Sequence, residues 1–264
     1  MSDTKPSAAA SNAAVQGELW SSDPQSWAET AEGRILPLYE RILLRLQPHS
    51  GTRLLDAGCG AGLFADLAAR TGAKVMGLDA APGLIAYARA HRPGPRYVVG
   101  DLGRIPFRDD AFDTVTAFNA VHYAADPHRA LAEIARVSAD RAVLTVGAGP
   151  DQARSAALVN PLAAPAEVPD AEAFDLTDPA AAGEALRRAG FATATTFDIA
   201  FDVDYASVDA AVAAQLPAGP VTAAVRHSGR AAVDAALRTL FAPLTRADGT
   251  VRMGMVFRCH LAAH

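Results

Sequence analysis

The stretch Arg53-Leu54-Leu55-Asp56-Ala57-Gly58-Cys59-Gly60-Ala61-Gly62 constrains this chain more than any other. An apolar run ends in an acid and three alternate glycines, the pattern of a buried strand turning sharply into a helix. Glycine is required where backbone folds tightly or lies against a ligand with no Cβ between them. A helix opening near Gly62 aims its unpaired N–H groups and the positive end of its dipole over such a loop. Dinucleotide sites use a related pattern, but they need a further glycine for helix-on-strand packing where this chain has Leu63. Asp56, at the strand end, repels a pyrophosphate and attracts an ammonium or sulfonium group.

Strands and helices alternate from there: strand 52–57, helix 62–71, strand 74–79, helix 82–91, strands 96–99 and 112–118, helix 127–138 and strand 141–147. Gly72, Pro82 and Asp126-Pro127 supply the helix stops and starts. Such alternation means a parallel sheet covered on both faces. Ligands of these sheets bind beyond the carboxyl ends of the strands, where Asp56, Asp79, Asp101 and Asn119 all fall.

Taken in order, these segments resemble the motifs of class I S-adenosylmethionine-dependent methyltransferases. Leu54 to Gly62 resembles the first motif. Lys74-Val75-Met76-Gly77-Leu78-Asp79 is similar to the second strand, whose closing acid takes the ribose hydroxyls. Gly100-Asp101-Leu102 resembles the adenine-binding segment, and Phe112 to Tyr123 the fourth strand with the reaction centre. The resemblance covers about 50–147 and implies an α/β fold. Its three layers hold a Rossmann-like seven-stranded sheet, mostly parallel with an antiparallel last strand. It implies S-adenosyl-L-methionine as cofactor and S-adenosyl-L-homocysteine as product. Asp56, Gly58, Cys59, Gly60, Asp79, Ala80, Asp101, Leu102 and Asn119 would hold the cofactor; Asp79 also reads as a plain turn carboxylate and Asn119 as a turn former. His122 would stand beside the reacting methyl as a general base, or merely contact the loop or cofactor. Where many relatives carry Pro-Gly-Gly, this chain has Ser138-Ala139-Asp140-Arg141.

Outside this region, residues 1–17 read as a disordered tail and 18–48 as lid helices. Ser26-x-x-Glu29 suggests a capping box and a short helix to Gly33, and Pro37 starts a helix that Pro48 ends. Trp20, Trp27 and Tyr39 are candidate lid contacts, with plain core packing as the alternative. The core spans 49–204 and 247–264. Residues 148–176 read as a long connection over the site, and Thr177-Asp178-Pro179 opens a helix that Gly190 stops. Alternating Phe197, Ile199, Phe201, Val203 and then Val251, Met253, Met255, Phe257, Cys259 indicate half-buried strands. Between them, 205–246 holds helical stretches near 206–215 and 221–241; with 148–176 it forms the expected substrate cap.

A net charge of −5 argues against nucleic acid, and neither Pro-Pro-Tyr nor Pro-Cys stands at the reaction centre. Two cysteines suggest neither a disulfide framework nor a metal site, and a cytoplasmic setting is expected. No run approaches the ~20 apolar residues of a membrane span. The expectation is methyl transfer to oxygen, nitrogen or carbon of a small-molecule acceptor in specialised metabolism. The alternatives are a cyclase or isomerase that retains the cofactor, or a protein that only binds it. Oligomeric state is not legible.

Overall fold

The computed structural model describes residues 8–164 and 174–264. Seven strands, β1 (Arg53–Ala57), β2 (Lys74–Asp79), β3 (Arg96–Val99), β4 (Phe112–Phe118), β5 (Ser138–Gly147), β6 (Thr193–Tyr205) and β7 (Val251–Ala263), form one sheet in the order β3-β2-β1-β4-β5-β7-β6. Neighbours from β3 to β5 are parallel, and β7 runs antiparallel to both β5 and β6. This is the α/β sheet that the sequence predicts.

Among the described residues the helices are α1 (Ala8–Trp20), α2 (Pro24–Ser26), α3 (Leu36–Leu46), α4 (Leu63–Ala69), α5 (Pro82–His91) and α6 (Pro127–Val137). They continue with α7 (Pro150–Val159), α8 (Pro179–Ala189), α9 (Val208–Gln215), α10 (Gly219–Ser228) and α11 (Arg230–Phe241). The two-residue period of β1 divides the core. Leu55 packs with Leu131, Ile134 and Leu186 on the α6–α8 face, whereas Leu54 packs with Phe64, Ile42 and Ile85 on the α3–α4–α5 face. Both leucines are fully buried, each contributing about 1.5–3 kcal/mol.

A third apolar cluster lies off the end of the sheet. Val203, Tyr205, Val251 and Met253 pack there against Val233, Leu237 and Phe241 of α11 and Val159 of α7. β6 and β7 pair over 13 residues each, but β5 meets β7 only from Phe257 to Ala263. The hairpin therefore projects past the sheet as a two-stranded ribbon carrying the helices of 208–241.

Several local expectations are corrected. The segment expected to be a disordered tail is helical from Ala8; residues 1–7 lie outside the described residues. No capping box forms at Ser26. Asp23 caps instead, accepting from Ser26 N, and the chain continues as a π-turn (Trp27–Ala31) and a 3-10 turn (Glu32–Ile35) into α3. Gly33 therefore ends nothing. The connection 148–176 contains α7, whose Asp151 and Gln152 accept from Gly254 N and Val256 N of β7; residues 165–173 lie outside the described residues. The stretch 221–241 is two helices, because Gly229 adopts φ 83°. Among the described residues no single helix is long and apolar enough to cross a membrane. α9 and α10 together have the length but meet at 94°.

Candidate functional site

At the carboxyl ends of β1, β2 and β4 a cavity opens between the glycine loop and the N-terminal helices. Gly58, Gly60 and Gly62 have φ 83°, 55° and 85°, the left-handed region that only glycine adopts without strain. Close packing excludes side chains as well. A Cβ on Gly58 would lie 2.3 Å from that of Ala120, and one on Gly62 2.7 Å from Tyr97 Oη. The turn is anchored by Gly58 N and Cys59 N, both donating to Leu78 O at 2.7 and 3.0 Å.

Asp79 faces the loop across this cavity. Its Oδ2 accepts from Gly60 N at 2.8 Å and its Oδ1 from Ala81 N at 2.9 Å. Burial raises its pKa, and those N–H bonds oppose the rise. Each carboxylate oxygen has further acceptor capacity, so the same group can take two hydroxyls. Asp101 also lines the cavity, turned in by an N–H of Gly103 that its Oδ1 accepts at 2.9 Å, with Leu102 beside it. Asn119 reaches the wall in a left-handed conformation, φ 50°, and its Oδ1 accepts from Gly147 N at 2.9 Å, tying β4 to β5.

Of the residues that the sequence singles out, Gly58, Cys59, Gly60, Asp79, Ala80, Asp101, Leu102, Asn119, Trp20, Trp27 and Tyr39 meet on this one wall. Two do not. Asp56 is buried beneath the loop, 1% exposed, where its Oδ1 accepts from Thr116 Oγ1 at 2.9 Å; burial raises its pKa to about 7 against that bond. It is a support of the loop and no part of the wall. His122 is exposed in the turn Val121–Tyr123, against the Tyr123 ring at 4.2 Å, and it does not line the cavity. Desolvation lowers its pKa, so the ring is neutral at pH 7.

The remaining wall escaped the sequence. Ala13 and Gln16 of α1 face the cavity, and Trp20 closes its end, edge-on to Trp27 at 4.9 Å and to Tyr123 at 5.5 Å. α1 lies hard against the strand end beneath it: a Cβ on Gly17 would sit 2.2 Å from Ala80 O. Glu32, 1% exposed, stands over the start of α4, its Oε1 accepting from Leu63 N at 3.4 Å and its Oε2 3.7 Å from Arg92. Burial pushes its pKa up to about 8, although Arg92 pulls the other way. The cap segments 148–176 and 205–246 contribute no described residue to this cavity.

Residues 55–146 match the family model described as a methyltransferase domain. Over 113 residues the chain is 37% identical to the malonyl-[acyl-carrier protein] O-methyltransferase of Serratia marcescens, covering 42% of this chain and 44% of that one. The chain thus spans less than half the length of the curated relatives it matches first. Among solved structures, the YcgJ protein of Bacillus subtilis superposes with a TM-score of 0.56 at 21% identity, covering 85% of this chain and 97% of that one. The [4+2]-cyclase SpnF does so with 0.51 at 22% identity, covering 86% and 79%. At such identities the two share the fold. The glycine loop and the acid closing β2 both lie within residues 55–146, the segment that matches the methyltransferase-domain model.

Proposed function

We propose that the cavity binds S-adenosylmethionine and that the chain moves its methyl to an oxygen, nitrogen or carbon nucleophile of a small-molecule acceptor, leaving S-adenosylhomocysteine. The observation that carries this reading is Asp79, a carboxylate tied to the glycine loop with acceptor sites directed at the same cavity as Asp101. The donor set fits the group. Asp79 can accept from ribose hydroxyls, Asp101 from an adenine amino group, and the polar atoms of Trp27 and Glu32 remain for the other end.

When bound, the cofactor supplies an activated methyl on a sulfonium; the chain's own residues orient it and exclude water. Trp20, Trp27 and Tyr123 form the apolar closure, and Tyr39, packed edge-on against Phe64 and Phe118, fixes the wall behind it. A small acceptor accords with the acidic net charge, and buried, unbridged Cys59 and Cys259 accord with a reducing cytoplasm.

Calorimetric titration tests the reading. S-adenosylhomocysteine should bind in preference to NADH, and Asp79→Ala should weaken it roughly 10- to 100-fold, the size of lost charged hydrogen bonds. NADH preference, or unchanged affinity in a folded Asp79→Ala variant, removes the reading. Turnover of an acceptor without release of S-adenosylhomocysteine would point to the cofactor-retaining cyclase.

A further inference from the structure

Three aromatic rings stand at one end of the cavity at steep angles to one another. The Trp20 ring of α1 lies 4.9 Å from that of Trp27 with 83° between their planes, and 5.5 Å from that of Tyr123, in the turn after β4, with 73°. All three line the cavity. Rings set in this way make corners. A flat aromatic guest stacks in a slot between parallel faces, whereas a compact cation seated in a corner meets the negative π-faces of two rings at once.

The charge of the wall points the same way. Among the described residues it carries three carboxyl groups, those of Glu32, Asp79 and Asp101, and no basic side chain; Arg92, 3.7 Å from Glu32, stands behind it and does not line the cavity. A cleft of that sign draws cations in and turns a carboxylate or a phosphate away. Gln16, four positions before Trp20 and so on the same side of α1, also faces the cavity and offers a carbonyl oxygen to an N–H. The empty space, open mouth included, is about 970 Å³, at the upper end for ligand pockets, which leaves room for an acceptor beside the cofactor.

We infer that the corners of Trp20, Trp27 and Tyr123 seat the acceptor, and that the acceptor is an aliphatic amine, held as its ammonium ion and methylated on nitrogen. This rests on the S-adenosylmethionine reading and narrows it from oxygen, nitrogen or carbon to nitrogen. The ammonium gives one proton to solvent, and the freed lone pair forms the new N–C bond to the methyl. The methyl–sulfur bond breaks with its electron pair staying on sulfur. Two cations enter, ammonium and sulfonium; a methylated ammonium and a proton leave, with a neutral thioether.

The test compares two probes of one shape, choline and its uncharged isostere in which a tert-butyl group replaces the trimethylammonium, by calorimetry on protein saturated with S-adenosylhomocysteine. Choline should bind about tenfold more tightly, the size of one or two desolvated cation–π contacts, and should not displace S-adenosylhomocysteine. Trp20→Leu and Tyr123→Leu should each cut that preference about threefold or more, whereas mere loosening of the wall would weaken both probes alike. In turnover, secondary and tertiary aliphatic amines should release S-adenosylhomocysteine faster than catechols or carboxylic acids. Equal binding of the two probes, displacement of S-adenosylhomocysteine by choline, or preferential turnover of catechols or acids overturns the assignment. If the leucine variants do not fold, the two probes on wild-type protein decide it. If S-adenosylhomocysteine itself does not bind, the S-adenosylmethionine reading falls, and the same probes on the free protein still decide whether the corners hold a cation.

Discussion

Asp56 and Asp79 close adjacent parallel strands and face different surroundings. Asp79 stands at the cavity with its oxygens on Gly60 and Ala81; Asp56 is sealed under the loop with Thr116. The sequence announces both as strand-end acids, but which one reaches a ligand depends on how the loop folds over the sheet. The glycines and Asp79 were legible because a tight turn permits few residue types there. Glu32 was not, since it falls at the end of the short helix read to Gly33 with nothing local to mark it as buried, and its burial is created by α4, some 31 positions on. His122 was misplaced for a related reason: the end of β4 is legible, the direction of the side chain after it is not. His122→Ala should leave S-adenosylhomocysteine affinity within about twofold and stability within about 0.5 kcal/mol, as for other exposed substitutions. Calorimetry and thermal melting check both, and a tenfold loss of affinity would return the ring to the site.

At the scale of elements, the parallel core followed from hydrophobic period and turn residues, whereas α1 did not. Ala8–Trp20 is rich in alanine and shows no apolar stripe, so nothing in its sequence marks the face set against the cavity. That face exists because Gly17 lets the helix lie on Ala80, because Ser21 Oγ accepts from Gly83 N at the start of α5, and because Glu18 pairs with Arg226 of α10. Gly17→Ala tests the seat. Alanine favours a helix by about 1 kcal/mol over glycine, yet the new methyl meets backbone at 2.2 Å and the helix must lift. The variant should release S-adenosylhomocysteine about tenfold faster while keeping its melting temperature. The chain's two tryptophans both line the cavity, so indole fluorescence in a stopped-flow displacement reads the rate. An unchanged rate would show that α1 takes no part in retention.

For the whole molecule, the cavity wall combines α1 and the Trp27–Ile35 turns with the ends of β1, β2 and β4, so a ligand held there would stabilise the folded state by mass action. S-adenosylhomocysteine at a hundred times its Kd should add about 2.7 kcal/mol and raise the melting temperature by roughly 5–10 °C in differential scanning fluorimetry, a shift that Asp79→Ala should shrink. The hairpin of β6 and β7 has a separate consequence. Beyond Phe257 it has no third strand beside it, and a two-stranded ribbon twists more readily than a full sheet. The three helices at its tip share their apolar core with Val159 of α7, and Arg226 of α10 meets Glu18 of α1, so the ribbon is braced from its side and not by a third strand. Because Arg226 meets Glu18 and Gly219 lies against the Trp20 ring, an exchange of these helices along the ribbon would carry part of the seat of α1 with it, so a change at the far end of the sheet would be felt at the closure of the cavity.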